Sequence, residues 1–164
     1  MKIAIMSDSH DHIWNMRKAI AIIHEQHVDS IIHCGDFVAP FMLKELYQAN
    51  IPVHGVFGNN DGDQFLLTKF SLTQFTNITL HGIVGKINLD GCLIGFSHFK
   101  EIADGLVAQQ EFKLVCYGHT HTYDYQTIGN TILINPGEIM GKDGQPGFVI
   151  MDTTSLDYER ISLL

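Results

Sequence analysis

Basic residues are scarce in this chain: ten Lys and Arg stand against 18 Asp and Glu, a formal net charge of −8 over 164 residues. That balance lacks the positive footprint that draws proteins onto nucleic-acid backbones or anionic lipid, so nucleic acid is not an expected partner. Long apolar runs are missing as well. The opening MKIAIMSDSH gives way to Ser7, Asp8 and His10, too soon for a signal-peptide core or for the roughly 20 residues of a membrane span. The expectation is a cytoplasmic protein that engages no membrane. Cysteine is sparse: Cys34, Cys92 and Cys116 form no C-x-x-C pair, which points to reduced thiols rather than a disulfide framework. No linker, low-complexity tract or internal repeat is present, and no H-E-x-x-H helix of the kind a zinc peptidase needs.

What is present fits one compact domain over residues 1–164 with room for a real core: 45% hydrophobic residues, 17% charged and 15 glycines. The ten histidines equal Lys and Arg together.

Short apolar runs alternating with helical periodicity predict strand, helix, strand, helix, strand in the first half. Ile3 to Met6, Ser30 to Cys34 and Val53 to Phe57 are the strands. Between the first two, Asp11 is a candidate helix cap, and Ile13, Met16, Ile20, Ile23 and His27 recur every three or four residues. The second helix begins at Pro40, with Ala39, Met42, Leu43 and Leu46 on one stripe. Such crossovers imply parallel strands with helices on their faces.

From about residue 78 the pattern turns to hairpins. Gly85 to Leu89 and Cys92 to Phe96 flank Asp90-Gly91, and Tyr123 to Ile128 and Thr131 to Ile134 flank Gly129-Asn130. Leu114 to Tyr117 is a further apolar run, and Phe148 to Asp152 with Leu156 to Ile161 forms a final antiparallel pair. The predicted fold class is α/β: two sheets packed face to face with helices outside, one mixed and one mostly antiparallel.

The polar residues at the strand ends carry the functional signal. Asp8 and His10 follow the first strand, Gly35-Asp36 the second and Gly58-Asn59-Asn60-Asp61 the third. Ser97-His98 and Gly118-His119-Thr120-His121 end two later strands. Singly, each reads as turn chemistry. Jointly they do not, because ligands of open α/β sheets bind beyond the carboxyl ends of strands, where residues distant in sequence converge. Oxygen and nitrogen donors without thiolate suit two hard or borderline divalent ions, Mn²⁺, Fe²⁺, Zn²⁺ or Ni²⁺. Asp36 is the candidate bridging carboxylate between them. No Ser-His-Asp or Cys-His nucleophile arrangement stands out.

In this order, Asp8-x-His10, Gly35-Asp36, Gly58-Asn59-Asn60-Asp61, His98, Gly118-His119-x-His121 and Asn135-Pro136-Gly137 resemble the calcineurin-like metallophosphoesterases, in particular their short phosphodiesterase branch, to which the retromer subunit Vps29 is related. The resemblance spans nearly the whole chain. It implies a four-layer α/β/β/α sandwich, with Asp8, His10 and His121 on one metal, Asn59, His98 and His119 on the other, and Asp36 bridging both. Mn²⁺ leads the expected ions, ahead of Ni²⁺, Zn²⁺ and Fe²⁺. It further implies hydrolysis of a P–O bond in a small phosphorylated substrate, most often a phosphodiester, by a hydroxide shared between ions about 3.5–4 Å apart. Relatives of this kind often self-associate, which leaves a homo-oligomer open.

Three departures from the family pattern shape the expected chemistry. Asn60 stands where larger relatives carry a proton-donating His, and an amide cannot supply that proton at neutral pH. Asn60 and Asp61 are therefore the candidate catalytic residues beside the metals, with Asp61 in an orienting role. His98 is followed by Phe99-Lys100 rather than Gly-His, so Lys100 is offered either as a phosphate binder or as a solvated surface group. Glu138 replaces the usual Ser after Asn-Pro-Gly, and no Arg follows nearby to clamp an anion. The remaining histidines are read as surface or satisfied core, Trp14 as packing, and Phe37, Phe57, Phe96 and Phe99 as core or pocket wall. The alternative to an enzyme is a Vps29-like scaffold that keeps the metal site and binds protein partners.

Overall fold

The computed structural model describes residues 1–164. Strand β1 (Lys2–Met6), helix α1 (Ile13–Glu25), β2 (Ser30–His33), α2 (Pro40–Tyr47), β3 (Val53–Gly55), α3 (Gln64–Thr73) and β4 (Ile78–Leu80) form successive crossovers. They place β1, β2, β3 and β4 side by side and parallel. The chain then forms β5 (Val84–Leu89), β6 (Cys92–Ser97), α4 (Lys100–Ala108), β7 (Leu114–Cys116), β8 (Asp124–Ile128) and β9 (Thr131–Asn135). It returns to the first sheet with β10 (Gly147–Asp152) and β11 (Tyr158–Ser162), which add antiparallel beside β1.

Alternation along β1 shows how the layers arise. Ala4 and Met6 face the core shared with Met16, Ile20 and Ile23 of α1 and Met42, Leu43 and Leu46 of α2. Ile3 and Ile5 face the second sheet and meet Ile94, Phe96, Leu114 and Ile134. A third cluster packs Ala103, Leu106 and Val107 of α4 on Val115 and Leu133. Helices, sheet, sheet and helix make the four-layer sandwich that the sequence motifs imply.

Several local expectations are corrected. The second sheet, in order β5-β6-β7-β9-β8, is not mostly antiparallel: β6, β7 and β9 run parallel, and only the outer pairings are antiparallel. The reason is α4, a crossover helix between β6 and β7 that the hairpin reading passed over, as it did α3 and β4. Asp11 does not cap α1. It sits at φ 60°, and its carboxylate accepts from Ala39 N (2.9 Å) at the start of α2, while His12 Nδ1 accepts from Asn15 N (3.2 Å) as the α1 cap. His27 lies past the helix end in the left-handed region and exposed, and Trp14 is 71% exposed rather than packed. No helix is long and apolar enough to cross a membrane.

The three cysteines are free and buried. Both hairpin turns form where Asp-Gly and Gly-Asn predict them. Asp90 and Gly91 both take positive φ, as a tight hairpin turn requires.

Candidate metal centre

Parallel neighbours end on the same side, so the loops after β1, β2 and β3 meet those after β6 and β7 where the two sheets face each other. Asp8 and His10 leave β1; Asp36 leaves β2; Asn59, Asn60 and Asp61 leave β3; His98 follows β6; His119 and His121 follow β7. The loops lock together through the backbone: Asp8 N bonds Gly35 O (3.1 Å), His10 N bonds Asp36 O (3.1 Å) and Gly118 N bonds His98 O (3.0 Å). Asp8, His10, Asp36, His119 and His121 all have positive φ. For non-glycine residues such backbone is costly and tends to persist only at sites the surrounding structure over-determines.

Glycines make the close approach possible. A Cβ on Gly118 would run into Ser7 Oγ and lie 2.8 Å from Asp8 Oδ2, and one on Gly58 would strike the Asp36 carboxylate.

Four of the candidate ligands converge tightly. His121 Nε2 lies 3.3 Å from Asp8 Oδ1, and His10 Nε2 lies 3.2 Å from Asp36 Oδ2 and 3.8 Å from Asp8 Oδ1. One ligand atom from each of Asp8, His10, Asp36 and His121 falls within 4.8 Å of the others. Asp8 Oδ1 and His10 Nε2 are buried with no hydrogen-bond partner. Buried polar atoms are rarely left unsatisfied without a reason, and a cation is the partner that suits this donor set. Between the two carboxylates the His10 imidazolium is favoured up to about 9, through its contacts with Asp36 and then Asp8. Asp36 itself is held below the usual carboxylate range by His10 and Asn60, which outweigh its burial.

The other three gather around His98, which approaches the same Asp36 oxygen as His10. His98 Nδ1 bonds Cys34 O at 2.8 Å; a carbonyl only accepts, so neutral His98 carries its proton there and turns the Nε2 lone pair inward. That lone pair faces Asn59 Oδ1 at 3.0 Å, Asp36 Oδ2 at 3.5 Å and His119 Nδ1 at 3.2 Å. Asn59, His98 and His119 are thus gathered beside Asp36. The carboxylates and imidazoles of Asp8, His10, Asp36 and His121 suit a divalent cation of the kind the motifs imply.

Other predicted site residues fall differently. Asn60 donates from its backbone N and its Nδ2 to Asp36, each at 2.8 Å. Asp61 is buried and spent on backbone: its carboxylate accepts from Gly58 N (2.7 Å), Asp36 N (3.0 Å) and Val38 N (2.7 Å). It ties the loop after β2 to the loop after β3, the orienting placement expected of it. Lys100 pairs with Asp104 at 2.8 and 3.0 Å and lies over the Tyr117 ring.

Two contributors escaped the sequence reading. His33, fully buried and stacked on Phe37, accepts from Gly35 N and contacts Ser9 Oγ, which donates to Asp36 O. It braces the Asp36 loop, and burial depresses its pKa to about 3. Arg160 reaches from β11, far away in sequence, to line a cavity of about 320 Å³ with His121, Tyr123 and Asp143. Arg160 lies outside every motif window, whereas His33 stands two residues before Gly35.

Residues 1–156 match the calcineurin-like phosphoesterase superfamily domain. The chain is 35% identical over 166 residues, covering 99% of both sequences, to phosphodiesterase MJ0936 of Methanocaldococcus jannaschii. It is 31% identical over 145 residues to the probable metallophosphoesterase YsnB of Bacillus subtilis, covering 85% of this chain and 75% of that one. Among solved structures, an archaeal phosphodiesterase superimposes with a TM-score of 0.92 at 34% identity, covering 99% of each chain. A Vps29 from Entamoeba histolytica shares the fold, with a TM-score of 0.69 at 16% identity and 99% of each chain covered.

Proposed function

This chain belongs to the calcineurin-like phosphoesterase superfamily, and from that premise we propose that it is a phosphodiesterase working with two divalent cations. Asp8, His10 and His121 hold one, Asn59, His98 and His119 the other, and Asp36 both; Mn²⁺ is the leading ion, with Ni²⁺, Zn²⁺ and Fe²⁺ suited to the same donors. The observation that carries this reading is the set of unpartnered Asp8 Oδ1 and His10 Nε2 beside the inward lone pair of His98. When bound, the cations supply charge neutralisation at the phosphoryl oxygens and a water acidified toward neutral pH.

The chain's own residues set what the reaction can use. His121 and His98 each set Nδ1 against a protein acceptor, which turns Nε2 toward the centre. Asn60 spends its amide on Asp36 and has no proton to give a leaving group. Esters whose leaving group departs unaided, such as aryl phosphodiesters, are therefore the favoured substrates. The net charge of −8 argues against long nucleic acid and for small substrates.

The test is hydrolysis of bis-p-nitrophenyl phosphate and p-nitrophenyl phosphate by protein stripped with chelator and refilled with Mn²⁺, Ni²⁺, Zn²⁺ or Mg²⁺. A metal-restored rate, higher on the diester and falling steeply with leaving-group pKa, is expected. No rate with any ion would favour a protein-binding scaffold, and a flat leaving-group dependence would remove the role given to Asn60.

A further inference from the structure

Beyond the ligands, one carboxylate is buried against the centre with no evident duty. Glu138 follows the Asn-Pro-Gly turn after β9 and is fully buried. Its segment is pinned beside the first ligand loop, because Ile139 N bonds Ser7 O and Met140 N bonds Asp8 O. Oε1 accepts from Asp143 N and Gly144 N, both at 2.7 Å. Oε2 accepts no linear hydrogen bond, yet it lies 3.1 Å from His121 Nδ1, and Asp143 Oδ2 approaches the same nitrogen at 3.0 Å. Two acceptors flank one imidazole nitrogen, an arrangement in which a single N–H is shared between them and points straight at neither.

We propose that Glu138 is the positioning residue of the first metal site: with Asp143 it keeps the proton on His121 Nδ1, so that Nε2 offers its lone pair beside Asp8. This rests on the phosphodiesterase reading for its purpose, though not for its geometry. A carboxylate behind a ligating imidazole fixes the tautomer and ring orientation and makes the opposite nitrogen a stronger donor. His98 is built the same way with a weaker partner, since its Nδ1 meets the uncharged Cys34 carbonyl. Glu138 also places Asp143, whose backbone it holds, so a single side chain organises both acceptors.

Glu138→Gln separates this role from a merely structural one. The amide oxygen can keep both backbone hydrogen bonds, while its NH₂ replaces the acceptor facing His121 Nδ1 and favours the opposite tautomer. The measurement is the long-range ¹H–¹⁵N spectrum of His121 in metal-free, ¹⁵N-labelled protein at about pH 8, above the ordinary imidazole pKa, together with calorimetric titration with Mn²⁺ and Zn²⁺. The native chain should show the Nδ1–H tautomer. Glu138→Gln should shift His121 toward Nε2–H and weaken the tighter of two binding steps by about 10- to 100-fold, with circular dichroism unchanged. Glu138→Asp should restore part of the affinity.

An unchanged tautomer and affinity in Glu138→Gln would overturn the proposal. So would a third bound ion that disappears in this variant, since the carboxylates would then hold a cation and not a proton. If native protein binds no ion at all, the phosphodiesterase reading fails, while the tautomer spectrum still decides what Glu138 does.

Discussion

The two halves of the centre are built from different material. Asp8, His10 and His121, with the shared Asp36, bring two carboxylates to a buried pocket, and Glu138 adds a third negative group behind it. Asn59, His98 and His119 bring an amide and two imidazoles, with Asn59 and His119 exposed, and depend on Asp36 for their only formal charge. Coulombic attraction grows with ligand charge and with burial, so the first half should fill first and hold more tightly. The likeness matters equally: in the proposed reading Asp36 serves both halves, and Asp61 and His33 fix its loop from behind.

Breaking the shared element should have the largest effect. Asp36→Asn is expected to lower the rate on bis-p-nitrophenyl phosphate by more than about 100-fold and to weaken both binding steps in calorimetry, with the fold retained; loss of one step alone would show that Asp36 is not shared. Gly118→Ala comes next, because a Cβ there meets Ser7 Oγ and crowds Asp8. Chemical denaturation should show a loss of about 1–3 kcal/mol, typical of overpacking, with the first binding step hit harder than the second.

The asymmetry itself is tested by pairing Asp8→Asn with Asn59→Ala. The former should weaken the tighter step by at least about tenfold, and the latter should affect only the weaker one; equal losses would erase the distinction.

A pH series sharpens it further. His10 in metal-free protein has its pKa raised from 6.5 to about 9. The associated stability is fully present below pH 6.5 and lost as pH rises through about 9. Metal-free protein should therefore lose thermal stability across that window. Metal affinity should move oppositely, falling by up to about tenfold for each unit of acidification, because the cation must displace the proton. His33, with its pKa depressed to about 3, adds stability present above 6.5 and lost as the solution is acidified toward 3. Acid unfolding should be steeper for the native chain than for a His33→Gln variant.

The smallest effect belongs outside both halves. Lys100→Ala should change turnover by less than about twofold and stability by less than about 0.5 kcal/mol, the range of exposed ion pairs. A larger loss on diesters would return Lys100 to the substrate.

Much of this was legible because strand ends announce themselves. Asp8, His10, Asp36, Asn59, His98, His119 and His121 all sit where an apolar run gives way to a polar turn, and their order alone resembles the family. Helices α3 and α4 were not legible. The apolar residues of α3 include Phe65 and Leu72, which are 78% and 75% exposed, so its sequence presents no clean buried stripe. Helix α4 is short, opens without a capping side chain and carries Gly105 in its interior. Missing it hid the crossover that lays β7 parallel to β6 between the two hairpins.

By itself the sequence determined the α/β alternation and which side chains can bind a cation, because period and residue chemistry are local properties. Tertiary structure alone decided that Asp61 faces backbone amides, that Asp11 ties one loop to another helix, and that Glu138 stands behind His121. Those roles depend on the direction a side chain takes once two sheets close on each other, and no spacing along the chain encodes that direction.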